Sequence, residues 1–359
     1  MKDVSIMLKP ASSACNMRCK YCFYHDVASE RDIASFGAMS EDVACAVIDS
    51  AFELADGGSV YFAFQGGEPL LRGKDFFRFF FDRVNNGKGK SAVSLSMQTN
   101  GTLIDEEWAR LFKQNGVLVG LSLDGDRNDN SFRMYADFSP AFNDIMRAAE
   151  LLEGAGVDFN ILSVVTGRLA DNIERVYAFF KKCGFKFLQF IPCLRPFAGA
   201  EGELYMTQAQ YARFLITLFN LYVKDFMRGE YVSIRRFDNW VRLYLGERCE
   251  ECGVGGFCSH QFVVEGNGNV YPCDFYCLDD LLLGNITQAS FSEMARSKKA
   301  EDFIRSSLVM PQKCRTCPYF FLCRGGGCKR ARSYDYCAAY RAFFSACLPL
   351  FALFKTPKA

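Results

Sequence analysis

The sequence predicts an α/β fold, a partial barrel of six β-α units followed by a cysteine-rich extension. Three observations lead there. Short apolar runs alternate with amphipathic, helix-length stretches from residue 1 to about 235. Polar or glycine-rich motifs follow several of those runs, at the carboxyl ends of strands where barrel chemistry gathers. The 17 cysteines are uneven, with three near the N-terminus and eleven between Cys249 and Cys347. A chain of 359 residues has room for two domains, expected as 1–235 and 236–359.

Composition narrows the function classes. Half the residues are hydrophobic and 36 are Phe, enough for a large core, while a net charge of +1 without basic runs offers no footprint for nucleic acid. The opening Met1-Lys2-Asp3 leads straight into an apolar run rather than a secretion signal. The longest apolar tract, 342–354, is interrupted by Ser345 and Pro349 and reads as too short for a bilayer, so a terminal helix packed on the body is expected. The expected setting is cytoplasmic, with no membrane partner. There, so many cysteines argue for metal rather than disulfides.

Strands are expected at 5–8, 60–64, 93–97, 118–123, 159–165 and 187–191, and helices at 41–54, 75–84, 106–114, 141–152 and 172–182. Near-continuous apolar strands between amphipathic helices make a parallel sheet. The first strand leads to Cys15-x3-Cys19-x2-Cys22. Soft thiolates are the usual ligands of iron–sulfur clusters, and three of them leave the fourth iron of a [4Fe-4S] cubane open to a small molecule. A zinc loop would instead pair C-x2-C with a second, distant pair. After the second strand comes Gln65-Gly66-Gly67-Glu68-Pro69, whose glycines admit close backbone approach and whose Glu68 can accept from an ammonium group. The third strand ends in Gln98-Thr99-Asn100-Gly101 and the fourth in Ser122-Leu123-Asp124-Gly125. Residues 199–203 read as a loop, 208–227 as a helix, and 232–238 leads out of the barrel.

The extension carries Cys252-x5-Cys258-x14-Cys273, with a hairpin at 262–271, and then Cys314-x2-Cys317-x5-Cys323-x4-Cys328-x8-Cys337. Eight thiols suffice for two fully ligated clusters. C-x2-C knuckles also bind zinc, so spacing alone leaves iron–sulfur and zinc both open.

The triad, with Tyr21 before its last cysteine, resembles the radical S-adenosylmethionine enzymes, and the second half resembles their SPASM extension. Segments 22–25, 62–69, 98–105, 187–191, 261–265 and 271–276 most resemble the anaerobic sulfatase-maturating enzymes. The resemblance implies a radical SAM partial barrel, three [4Fe-4S] clusters and S-adenosyl-L-methionine, which the open iron chelates and the reduced cluster cleaves. It implies cofactor contacts from Tyr21, Gln65, Gly66, Gly67, Glu68, Ser122, Arg133 and Leu194, although residues 126–132 lack the proline and histidine of relatives. Cys252, Cys258, Cys273 and Cys328 would hold one auxiliary cluster, and Cys314, Cys317, Cys323 and Cys337 the other. Two departures bear on this. Four residues rather than three separate Cys323 from Cys328, and the gap before Cys337 is short; Cys249 and Cys277 flank the ligands as possible substitutes. Cys45, Cys183, Cys193 and Cys347 are expected as buried thiols, and His25 and His260 as structural neighbours of ligands.

The activity implied is oxidation of a cysteine or serine Cβ in an unfolded sulfatase polypeptide to Cα-formylglycine. Asp274 would be the base, Tyr24 and Gln65 would line the substrate channel, and flavodoxin or ferredoxin would supply low-potential electrons. The alternative within the superfamily is a maturase forming thioether or other crosslinks in a ribosomal peptide. An electron carrier or zinc module is a third reading, opposed by the motifs for a cofactor pocket.

Overall fold

The computed structural model describes residues 3–199 and 202–355, and every expected strand forms within about two residues of its expected ends. Of the expected loop 199–203, residues 200 and 201 lie outside the described residues. The chain divides into two compact units. The first comprises Met1–Ser122, Ser131–Phe159 and Ser259–Phe303; the second comprises Leu123–Asn130, Asn160–Cys258 and Ile304–Ala359.

In the first unit, β1 (Asp3–Leu8), β2 (Ser59–Phe64), β3 (Ala92–Thr99) and β4 (Val117–Ser122) run parallel in that order. Helices α1 (Phe23–Ser29), α2 (Glu41–Ala55), α3 (Lys74–Gly87), α4 (Glu106–Gln114) and α5 (Phe142–Gly154) connect or follow them. Local chemistry starts two of these helices: the Ser40 side chain accepts from Val43 N and the Asp105 side chain from Trp108 N. The core is aromatic. Phe76, Phe77, Phe80 and Phe81 of α3 are buried, and Phe62 and Phe64 of β2 meet Phe80 edge-on at 5.4 and 5.0 Å between ring centroids.

Sequence-distant strands matter most for the site. Numbering onward in chain order, β8 (Phe262–Val264), β9 (Asn269–Tyr271) and β10 (Gly284–Asn285) extend the first unit's sheet beyond β1, and β8 lies parallel to β1. Leu8 pairs with Phe64 on one side and with Val264 on the other. The next residue of each strand, Lys9, Gln65 and Glu265, therefore emerges at one level of the sheet. Two hydrogen bonds lock that level, Lys9 N to Val264 O at 2.8 Å and Gln65 N to Leu8 O at 2.9 Å.

In the second unit, β5 (Phe159–Val165), β6 (Phe187–Pro192) and β7 (Ser233–Ile234) are parallel neighbours, with α6 (Gly167–Asp171), α7 (Ile173–Lys182), α8 (Gln208–Met227) and α9 (Arg235–Tyr244). Thr207 and Gln210 form a reciprocal capping box at the start of α8. The terminal helix Cys337–Cys347 buries Phe343 against Phe219 and Trp240, with centroids 5.4 and 5.0 Å apart. It continues as a 3-10 helix, Leu348–Lys355, whose Phe351 stacks on Phe219 at 4.7 Å. That corrects the expected length. Pro349 falls in the first turn of the 3-10 segment, where its missing N–H is tolerated. The resulting run Cys337–Lys355 is, by length and composition, long and apolar enough to cross a membrane, and about a third of it is buried here.

Candidate active site

The triad loop is framed by backbone. Gly67 N donates to Ser12 O at 2.9 Å and Glu68 N to Ala14 O at 2.8 Å, tying the end of β2 to the three residues before Cys15. The fit excludes side chains: a Cβ on Gly67 would lie 2.0 Å from Ala14 O, and one on Gly66, at φ +112°, would lie 2.8 Å from Ser12 O. Two donors approach the Cys15 sulfur, Met17 N at 3.3 Å and Asn100 Nδ2 at 3.9 Å. The chain around that sulfur, with the nearby charges of Glu68, Cys19 and Cys22, pushes the Cys15 thiol up to about 12. Thiols become thiolates when a cation binds among them, and three thiols in one loop match the donor chemistry of an iron–sulfur cluster.

Glu68 is buried and already engaged. Its Oε1 accepts from Thr99 Oγ1 at 2.7 Å and Leu70 N at 3.1 Å, and its Oε2 from Asn100 N at 2.8 Å. Burial pushes its carboxyl up to about 7 against those stabilising donors. It braces the ends of β2 and β3. Ser122 accepts from Gln98 Nε2 at 3.0 Å, and the buried Arg133 guanidinium lies 5.5 Å from the Tyr21 ring centroid. Leu194 is half-buried in the second unit.

Asp274 opens a 3-10 turn immediately after Cys273 and is buried. The Tyr24 hydroxyl donates to its Oδ2 at 2.7 Å and also lies 2.9 Å from Gln65 Oε1. Lys9 Nζ forms an ion pair with Asp274 Oδ1 at 3.0 Å, lies 3.6 Å from Glu265 Oε1, and donates to Cys277 Sγ at 3.3 Å. Arg31 Nη1 completes the group at 2.7 Å from Glu265 Oε1. Burial works against the Lys9 charge, and Asp274, Cys277 and Glu265 outweigh it, so the ammonium stays protonated. Burial, then Asp274, raises the Tyr24 phenol well above its ordinary range, so it remains a donor.

Two similarities decide the family. One model matching residues 10–181 is the Radical SAM superfamily, and another matching 257–318 is an iron–sulfur cluster-binding domain, SPASM. The cysteine-type anaerobic sulfatase-maturating enzyme of Clostridium novyi (strain NT) is 43% identical over 357 residues, covering 96% of this chain and 95% of the relative. The chain belongs to the anaerobic sulfatase-maturating enzymes. A serine-type member of that family, from Bacteroides thetaiotaomicron, is 28% identical, covering 90% of this chain and 82% of the relative. The solved structure of native anSMEcpe with bound AdoMet and Cp18Cys peptide superposes with a TM-score of 0.92 at 39% identity, covering 98% of this chain and 99% of that one. The radical SAM and SPASM fold class is thereby established, and [4Fe-4S] clusters and S-adenosylmethionine are the cofactors it brings.

In this sulfatase-maturating chain the second unit supplies further thiols. Cys314, Cys317, Cys323 and Cys337 line a single pocket, closed in part by Tyr319, Phe320, Tyr340 and Phe344. Burial, then the charges of Cys337, Cys317 and Cys314, pushes the Cys323 thiol up to about 11. Cys337 lines this pocket with the other three despite the short gap before it. Cys252 is raised to about 12 by burial and then by the charges of Cys328 and Cys258. The four residues before Cys328, Arg324 to Gly327, all hold positive φ. A Cβ at Gly327 would sit 1.8 Å from Gly253 O, so this glycine brings the Cys328 segment against the Cys252 segment. Cys273 belongs to the first unit, beside Asp274. Cys277 is buried and its sulfur accepts from Lys9 Nζ at 3.3 Å.

Sequence reasoning overlooked Lys9, Arg31 and Glu265. Lys9 had one visible signal, a charge ending an apolar strand just ahead of the triad. Glu265 reads as an ordinary residue at a hairpin turn until the parallel pairing of β8 with β1 is known.

Proposed function

We propose that this chain oxidises the Cβ of a cysteine in an unfolded sulfatase segment to Cα-formylglycine. The observation that carries the reading is the buried Asp274 carboxylate, placed between the Tyr24 hydroxyl and Lys9 in the same unit as the Cys15–Cys22 loop. The greater identity to the cysteine-type relative than to the serine-type one supports the choice of thiol substrate.

Cys15, Cys19 and Cys22 would hold the cluster that binds S-adenosylmethionine, and when bound the pair supplies the hydrogen-atom abstraction. For balance, one electron leaves with the hydrogen atom, the second would pass to an oxidised auxiliary cluster, and water replaces the sulfur, which leaves as hydrogen sulfide. Gln65, Gly66, Gly67 and Glu68, with Tyr21, Ser122 and Arg133, would frame the cofactor. Asp274 takes the substrate thiol proton on a carboxylate oxygen, while Tyr24 and Gln65 line the approach. Cys252, Cys258 and Cys328 would supply thiols to a second cluster and Cys314, Cys317, Cys323 and Cys337 would hold a third, in a chain read as 1–235 for the barrel and 236–359 for the extension. A flavodoxin or ferredoxin of low potential completes the partners, in the cytoplasm, without nucleic acid or membrane.

The test is anaerobic incubation with a short sulfatase-motif peptide and S-adenosylmethionine, followed by mass spectrometry. A loss of about 18 mass units from the cysteine peptide marks the aldehyde, as atom balance requires for chemistry of this cofactor class. A crosslinked product that retains its sulfur would overturn the reading in favour of the thioether alternative.

A further inference from the structure

We infer that Lys9 is a positioning residue for the Asp274 carboxylate, acting as the middle rung of a buried ladder Arg31–Glu265–Lys9–Asp274. The inference rests on the reading of Asp274 as the base.

Lysine is seldom fully buried unless paired, yet Lys9 is 2% exposed and the two carboxylates beside it are 1% and 6% exposed. Two cations and two carboxylates balance, so the ladder is neutral as a whole. Each rung comes from a different stretch of chain: Arg31 from just beyond α1, Glu265 from the turn after β8, Lys9 from the end of β1, and Asp274 from just beyond β9. The ladder therefore does more than neutralise a charge. It references Asp274 to the sheet.

The geometry at Asp274 shows how. One carboxylate oxygen faces Lys9 at 3.0 Å and the other receives the Tyr24 hydroxyl at 2.7 Å. Lys9 Nζ also lies 4.9 Å from the Tyr24 ring centroid, so one ammonium touches both the carboxylate and the phenol that donates to it. Ser12 Oγ, donating to Glu265 Oε2 at 2.8 Å, fixes the far side of the ladder and comes from the turn that receives Gly67. A carboxylate ion-paired at one oxygen and hydrogen-bonded at the other is restrained from turning about its Cβ–Cγ bond. Without Lys9 it is held at one oxygen only. Proton transfer needs heavy atoms about 2.6–3.2 Å apart, and a misplacement of about 1 Å can cost roughly 100-fold.

Lys9→Met leaves one buried carboxylate unbalanced and is itself a folding risk. Lys9→Met/Glu265→Gln removes one charge of each sign and keeps the ladder neutral, so this double variant carries the test. In the reconstituted enzyme we expect 5′-deoxyadenosine formed per aldehyde to rise at least about tenfold, with Lys9→Arg restoring most of the coupling. Affinity for a fluorescent cysteine peptide, read by anisotropy without turnover, should stay within about threefold. A crystal structure of the double variant should show the Asp274 carboxylate swung about its remaining Tyr24 contact, with Oδ1 displaced from its wild-type position. Wild-type coupling with Asp274 unmoved would overturn the inference and leave Lys9 a charge-balancing residue. A wild-type enzyme that cleaves S-adenosylmethionine but never yields aldehyde would overturn the proposed function instead.

Discussion

The loop bearing Cys15, Cys19 and Cys22 and the pocket bearing Cys314, Cys317, Cys323 and Cys337 hold their thiols by different means. The loop is braced from outside, by Gly67 and Glu68 amides on Ser12 and Ala14 and by donors to the Cys15 sulfur. The pocket is braced from within, by aromatic walls and a run of left-handed residues from Arg324 to Gly327. The thiol count differs as well, three against four. A three-thiol cradle leaves an iron for a small molecule, whereas a four-thiol cradle saturates a cubane. The backbone frame lies around the three-thiol loop.

Removing one thiol from each region should separate them most sharply. Cys15→Ala is expected to reduce S-adenosylmethionine cleavage to background and iron from roughly twelve to roughly eight per chain. Cys314→Ala should lose iron too while retaining cleavage of the cofactor, and loss of cleavage there would erase the distinction. Next in size, Asp274→Asn should lower aldehyde formation by roughly 10²–10⁴-fold with cofactor cleavage retained, as measured by chromatography of both products. Wild-type yields from that variant would remove Asp274 from the base role.

The backbone frame can be probed without turnover. Gly67→Ala places a methyl 2.0 Å from Ala14 O, and overpacking of this kind costs about 1–3 kcal/mol, readable by thermal or denaturant unfolding. Glu68 gives a pH signature. Its carboxyl rises from an ordinary 4.5 to about 7, so between those values the folded chain binds more protons than the unfolded one. Stability should therefore fall as pH rises through that window, by up to about 3 kcal/mol, and level off above it. Glu68→Gln should flatten the dependence, and an unchanged slope would show that the carboxyl is ionised throughout. Smallest of all, Cys347→Ala, which alters a buried thiol of the terminal helix, should cost about 1 kcal/mol and leave the iron content unchanged.

Much of the architecture was legible because its signals are local. The expected helices at 106–114 and 208–227 match α4 and α8 end to end, since Asp105 and the Thr207–Gln210 pair mark their starts in the sequence itself. The terminal helix was misjudged in length because Pro349 is a breaker by composition and harmless at the start of a 3-10 turn. Lys9 and Glu265 stayed hidden for a different reason. They are 256 residues apart and meet only because β8 pairs in parallel with β1.

By itself the sequence determined the thiol spacings, the glycines of the Gln65–Pro69 motif and the alternation of strands and helices, each set by chemistry within a few neighbouring residues. Only the tertiary structure decided that Lys9, Gln65 and Glu265 leave the sheet at one level, and that Asp274 is gripped from two sides. Strand register and burial are properties of the whole packed unit, and they give a lysine at the end of a strand its partners.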